Sequence, residues 1–229
     1  LKSNQLDNRL KGTRIIAPVD GLISKVEIST IGAIVSSGTD LFEIIPTSDE
    51  MKHFGAAMAS YGSIPLFHLR EITPEAKSIE IKKIEELRIT EITNNDIKAF
   101  KSPFGKKGDK IDVVVFAAPQ LSIFEMQKVA GLCVDKSFKV PVIICTSPQV
   151  YSDASRMKLI DQIEKTGAKV LEGTCFYNQY AREIGLANGW KRLMSNSAKI
   201  VNILGGYGYE PSLSSMKNCI DSAVAGEIV

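Results

Sequence analysis

Several features are scarce in this chain, and each scarcity closes off a class of function. No apolar run in the 229 residues approaches the roughly 20 needed to cross a bilayer. The opening stretch LKSNQLDNRLKG lacks the apolar core of a secretory signal. The chain begins on Leu rather than Met, which leaves room for residues upstream. Charge of neither sign is in excess, because 28 Lys and Arg against 26 Asp and Glu leave a formal +2. The lysines are scattered and aromatics do not interleave with them, so neither nucleic acid nor an anionic membrane finds a footprint here. The four cysteines, Cys133, Cys145, Cys175 and Cys219, form no CxxC pair. A zinc knuckle is therefore excluded, and reduced thiols are expected rather than a disulfide framework. Cys133 and Cys219 fall in helical apolar patterns and read as core residues.

What is present is the composition of an ordinary globular protein, 44% hydrophobic and 24% charged, with enough chain for one large domain or two smaller ones. Residues 1–46 read as β: a weak helical pattern through Leu1, Leu6 and Leu10, then alternating strands punctuated by Pro18–Gly21, Gly32 and Gly38. The character changes at Pro46. Thr47, Ser48 or Asp49 can cap a helix running to about Ser60, with Asp49 and Glu50 in its first turn. SIPLFHL reads as a buried strand, TPEA as a helix start with Thr73 as cap, and residues 84–93 as a strand. Asn94–Asp96 can cap a short helix ending near Phe100.

From Ile111 onward strand and helix alternate with short connections. Strands are predicted at Ile111–Ala117, Val140–Cys145 and Lys169–Glu172, and helices at Ser122–Leu132 and Ser152–Thr166. The pattern predicts parallel βαβ units, an α/β fold. A capped helix closes the chain in SLSSMKNCIDSAVAGE.

Two resemblances emerge from particular stretches. IIAPVDGLI and the spaced Gly38, Leu41 and Glu43–Pro46 resemble the lipoyl-like β segment of membrane fusion (periplasmic adaptor) proteins of type I secretion, over residues 1–50. No Lys stands at the attachment turn Val19–Gly21, so covalent lipoyl or biotin loading is not implied. Residues 47–229 resemble the C-terminal portion of the large catalytic subunit of aconitase X. The motifs are DEMKHFGAAMASYG, VVVFAAPQLS, VIICTS, LEGTC, MSNSAK and a final AVAGE. The two resemblances meet between Pro46 and Glu50, so the expected organisation is a β segment over 1–46 joined, as in a chimera, to a partial α/β domain over 47–229.

The second resemblance implies a hydro-lyase (dehydratase) acting on a small hydroxy acid such as phosphomevalonate or 3-hydroxyproline. It also implies an iron–sulfur cluster as Lewis acid, and a small swivelling subunit as partner. It places a cluster ligand at Cys175, and another in a Gly-Cys-Pro-His turn that reads Ala117–Ala118–Pro119–Gln120 here. One remaining thiolate does not hold a cluster alone.

Ser195, Asn196, Ser197 and Lys199 combine hydroxyls, an amide and an ammonium, a set suited to a carboxylate or phosphate, although Ser/Asn clusters on their own are more often turns. The resemblance makes Ser197 and Lys199 catalytic and Ser195 and Asn196 substrate-binding. Thr146 and Ser147 follow a strand end, where they either meet an anionic substrate or merely cap the next helix. His68 is a substrate-binding candidate or a core histidine. Gly205–Glu210 is Gly-rich, lacks the ending of a P-loop and reads as a flexible loop. Two functions follow: a fragmentary dehydratase, expected in the cytoplasm, or a non-catalytic binding or assembly module whose β edge seeks a partner.

Overall fold

The computed structural model describes residues 22–26, 42–70, 72–78 and 89–229. The chain divides into two compact units, Leu1–Glu50 and Met51–Val229. In the first, β1 (Leu22–Val26) and β2 (Phe42–Ile45) form an antiparallel pair in which Leu22 opposes Ile45, with a bulge between Ile23 and Lys25. The N-terminal helical pattern and the turns at Pro18–Gly21, Gly32 and Gly38 lie outside the described residues.

Helix α1 (Ser48–Gly62) starts with a reciprocal cap: Glu50 accepts the Thr47 amide at 2.6 Å, while Thr47 Oγ1 accepts the Glu50 amide at 3.2 Å. Beyond it the sequence expectations fail. SIPLFHL is not a strand. Residues 63–69 are irregular and largely exposed, Leu66 at 69%, because no neighbouring strand is there to pair with them. Pro74–Ser78 is a short 3-10 turn, and Thr73 Oγ1 bonds back to Leu69 rather than capping it. Of the strand expected over 84–93, residues 84–88 lie outside the described residues and 89–93 are exposed and irregular. Helix α2 (Asn94–Lys101) is capped by Thr93 with Asp96, one residue ahead of the expected cap.

Residues 111–229 form a three-layer α/β/α body. Its strands are β3 (Val113–Leu121), β4 (Val142–Thr146), β5 (Lys169–Glu172), β6 (Arg192–Ser195) and β7 (Glu210–Leu213). They lie in the order β5-β4-β3-β6-β7, all parallel, as the alternating pattern predicts. The helices are α3 (Ile123–Leu132), α4 (Pro148–Arg156), α5 (Leu159–Glu164), α6 (Ala181–Asn188), α7 (Ala198–Gly205) and α8 (Met216–Ala225). The single helix expected over Ser152–Thr166 is two, because Lys158 takes a left-handed conformation (φ 63°) that ends α4.

Central strand β3 is buried on both faces. Val114 and Phe116 pack with Met126, Val129, Ile163 and Ile220. Val113, Val115 and Ala117 pack against Phe176, Ile200 and Leu204 on the other side. That two-sided burial is what a parallel sheet requires of its middle strand. Cys133, Cys145 and Cys219 are core residues, and all four cysteines are free thiols. β6 and β7 have no counterpart in the sequence reading; four residues each, they are too short for a periodic signal.

Candidate functional site

The strand order reverses at β3. β4 and β5 extend to one side, β6 and β7 to the other, so the carboxyl ends of β3 and β6 flank a crevice of the kind where open α/β sheets bind ligands. The residues of interest reach this edge from four connections: Ala118–Gln120 after β3, Ser147 after β4, Thr174–Cys175 after β5 and Ser195–Lys199 after β6.

Ser197 bridges the crevice. Its hydroxyl donates to the Ala118 carbonyl at 2.7 Å and accepts the Ile200 amide at 3.2 Å as the cap of α7. It is 1% exposed, and both bonds occupy the hydroxyl in a structural task. Ser195, fully buried, accepts the Ser197 amide at 3.1 Å. Between them the Asn196 carboxamide oxygen is buried with no hydrogen-bond partner among the described residues. A buried acceptor left unpaired costs roughly 1–3 kcal/mol, a cost that a ligand hydroxyl or N–H would remove. Lys199 is partly exposed on the first turn of α7, its ammonium 6.0 Å from the centre of the Tyr177 ring.

Cys175 is half-buried beside this cluster. Burial pushes its thiol up, against the pull of the Tyr177 amide, the Lys199 ammonium and the Ala118 amide. Behind it Cys145 is pushed up to about 12, by burial and by the neighbouring Cys175. Both sulfurs are therefore thiols at neutral pH rather than thiolates.

Thr146 and Ser147 are at the same edge but already engaged. Thr146 Oγ1 donates to the Leu121 carbonyl at 2.7 Å, and Ser147 caps α4 by accepting the Val150 amide at 3.2 Å. His68, expected in an apolar strand, is exposed on the irregular segment after α1. Gly205–Glu210 is the turn from α7 into β7. There Arg182 lies over the Tyr207 ring and bonds the Gly206 carbonyl at 3.1 Å.

The structure adds a cluster that sequence reasoning missed. Glu125, 6% exposed, completes the cap of α3 by accepting the Ser122 amide at 3.0 Å. It also takes Lys52 Nζ at 2.5 Å and His53 Nε2 at 2.8 Å, both from α1. Lys52 donates as well to the Gln120 carbonyl at 3.2 Å, and the Gln120 amide donates to the Thr174 carbonyl at 2.8 Å. Burial alone would raise the Glu125 pKa. Hydrogen bonds from His53, Lys52 and the Ser122 amide overcome it and hold the group at about 2. Only the S-x-x-E cap in SIFE was legible beforehand; the partners lie about seventy positions upstream.

The donor set at this edge does not fit an iron–sulfur cluster. Cys175 is a protonated thiol, its sulfur neighbour is buried, and Ala118 and Gln120 offer the turn after β3 no thiolate. Among the described residues no group of three or more His, Cys, Asp or Glu could hold a metal ion.

Among described residues no helix is long and apolar enough to cross a membrane. A family model for the aconitase X second domain matches residues 27–102, and one for the aconitase X third domain matches residues 111–225. The second-domain match begins upstream of Pro46 and so includes residues assigned above to an adaptor segment; the adaptor resemblance finds no support among these matches. The large subunit of phosphomevalonate dehydratase from Methanocaldococcus jannaschii is 30% identical, over 85% of this chain and 50% of its own length. Cis-3-hydroxy-L-proline dehydratase of Hypocrea jecorina is 27% identical, over 89% of this chain and 34% of its own. The crystal structure of holo-form aconitase X from Thermococcus kodakaraensis shares the fold, with a TM-score of 0.68 at 24% identity, over 79% of this chain and 45% of that one. The chain thus spans about half the length, or less, of the relatives it matches. On the two domain matches and the fold they share, this chain belongs to the aconitase X family.

Proposed function

We propose that the chain is part of a dehydratase of small hydroxy acids, with residues 47–229 supplying the substrate edge at the β3/β6 crevice. The observation that carries this reading is the unpaired Asn196 oxygen, held between the bridging Ser197 and the Lys199 ammonium. A hydroxy acid complements it: the substrate hydroxyl donates to Asn196, and Lys199 supplies positive charge for the carboxylate and a proton for the departing hydroxyl. Ser197 and Ser195 hold the edge in place, and Cys175 closes its floor. Phosphomevalonate and cis-3-hydroxy-L-proline, the substrates in the relatives' names, are the first compounds to try. A small subunit that closes over the edge, and a cytoplasmic location, belong to the same reading.

A second reading, a non-catalytic binding module, is favoured by Ala118 and Gln120 in the turn after β3. The test is water elimination from either compound by the chain, prepared anaerobically with iron and sulfide and with a small subunit present. Formation of the unsaturated acid, abolished in Lys199→Met, supports the dehydratase. Binding without elimination, still lost in Lys199→Met, selects the second reading, and absence of both removes the crevice as a substrate site.

A further inference from the structure

The Lys52–His53–Glu125 cluster is costly to build, since it takes a carboxylate out of water, and its geometry exceeds what docking one helix needs. Glu125 is ionised, so both its oxygens only accept. One takes Lys52 and the Ser122 amide, the other takes His53. The His53 nitrogen facing it, Nε2, must therefore carry a proton, which in the neutral ring leaves the lone pair on Nδ1. Nδ1 has no hydrogen-bond partner among the described residues, and the side chain is 23% exposed. A carboxylate that fixes the tautomer of an imidazole whose other nitrogen is open is the arrangement of a proton acceptor.

The cluster is tied to the edge described above. Lys52 holds the Gln120 carbonyl, and Gln120 holds the carbonyl of Thr174, the residue before Cys175.

We infer that His53, oriented by Glu125, is the proton-accepting residue of this edge. The inference rests on the dehydratase reading. In the step it assigns, His53 Nδ1 takes the proton from the carbon next to the carboxylate. The C–H electron pair becomes the new C=C bond, and the C–O pair departs with the hydroxyl. The hydroxyl takes a proton from the Lys199 ammonium and leaves as water, and the proton on His53 returns to Lys199 through solvent. Glu125 and Lys52 are positioning residues.

The chain has two histidines, His53 and His68, so ¹⁵N-imidazole NMR on labelled protein, assigned with His68→Gln, reads His53 directly. The neutral ring of His53 is expected to carry its proton on Nε2, and to respond when phosphomevalonate or cis-3-hydroxy-L-proline is added, while His68 does not. A proton on Nδ1, or a ring indifferent to both compounds, overturns the inference whether or not the chain dehydrates anything. Where it does dehydrate, His53→Gln is expected to lower kcat by roughly 10²–10⁴-fold with little change in KM. Undiminished kcat in that variant overturns the inference and leaves the dehydratase reading standing. Glu125→Gln, which can donate as well as accept, should give a mixed tautomer and a smaller loss of kcat, and Glu125→Asp should restore part of both.

Discussion

Residues 48–104 and residues 111–229 are built from the same kinds of amino acid, yet they are held by different forces. In the second stretch β3 is covered on both faces, and Phe116, Ile144, Met126 and Ile163 are shut off from water. In the first, α1 and α2 contain no fully buried residue, and Ile89 and Leu66 are 86% and 69% exposed. What fastens α1 is polar: Lys52 and His53 on Glu125, and the Asn202 amide donating to Ser60. Edge-on ring contacts run from Tyr61 to Phe100 and on to Phe104. Apolar burial scales with area, whereas charge-assisted bonds depend on protonation. The two regions should therefore answer to different perturbations.

Phe116→Ala attacks the buried region and should cost about 3–5 kcal/mol by leaving a cavity between packed layers. Urea unfolding would show it as a lower midpoint with an unchanged slope.

Acid attacks the polar fastening. The folded pKa of Glu125, about 2, lies below its ordinary 4.5, so the unfolded chain binds the proton more readily between those values. The stabilisation is complete above pH 4.5 and disappears as pH falls towards 2. It amounts to at most about 3 kcal/mol at 1.36 kcal/mol per pH unit. A urea series across that interval should show a slope in wild type that Glu125→Gln lacks.

Ser197→Ala removes the cap of α7 and orphans the Ala118 carbonyl, for about 1–2 kcal/mol in the same assay. Phe100→Ala, on the exposed helix α2, should stay within about 0.5 kcal/mol. A loss as large as that of Phe116→Ala would show that the exposed region has a core of its own.

The legibility of the sequence followed the same division. Runs such as VVVF and VIIC announced strands because a middle strand is apolar on both faces, and Ser122, Ser147 and Ser215 stood where caps belong. SIPLFHL carried the same apolar signal without a neighbour to pair with, and the signal misled. Cys175 was legible as an edge residue because a strand precedes it by three positions. Ser197 was legible as a residue of interest, but the bond that occupies it runs to Ala118 in another strand's loop. His53 drew no notice, since nothing local marks it.

By itself, then, the sequence determined what is local or periodic: parallel α/β architecture over residues 111–172, buried cysteines, helix caps and a Ser/Asn/Lys cluster. Periodicity and capping depend on neighbours within one turn or one strand. Tertiary structure alone decided where the strand order reverses, which polar atoms were left unpaired and which charges met. Bonds such as His53 to Glu125 join residues that chain position does nothing to bring together, and only the packing of one element on another sets them.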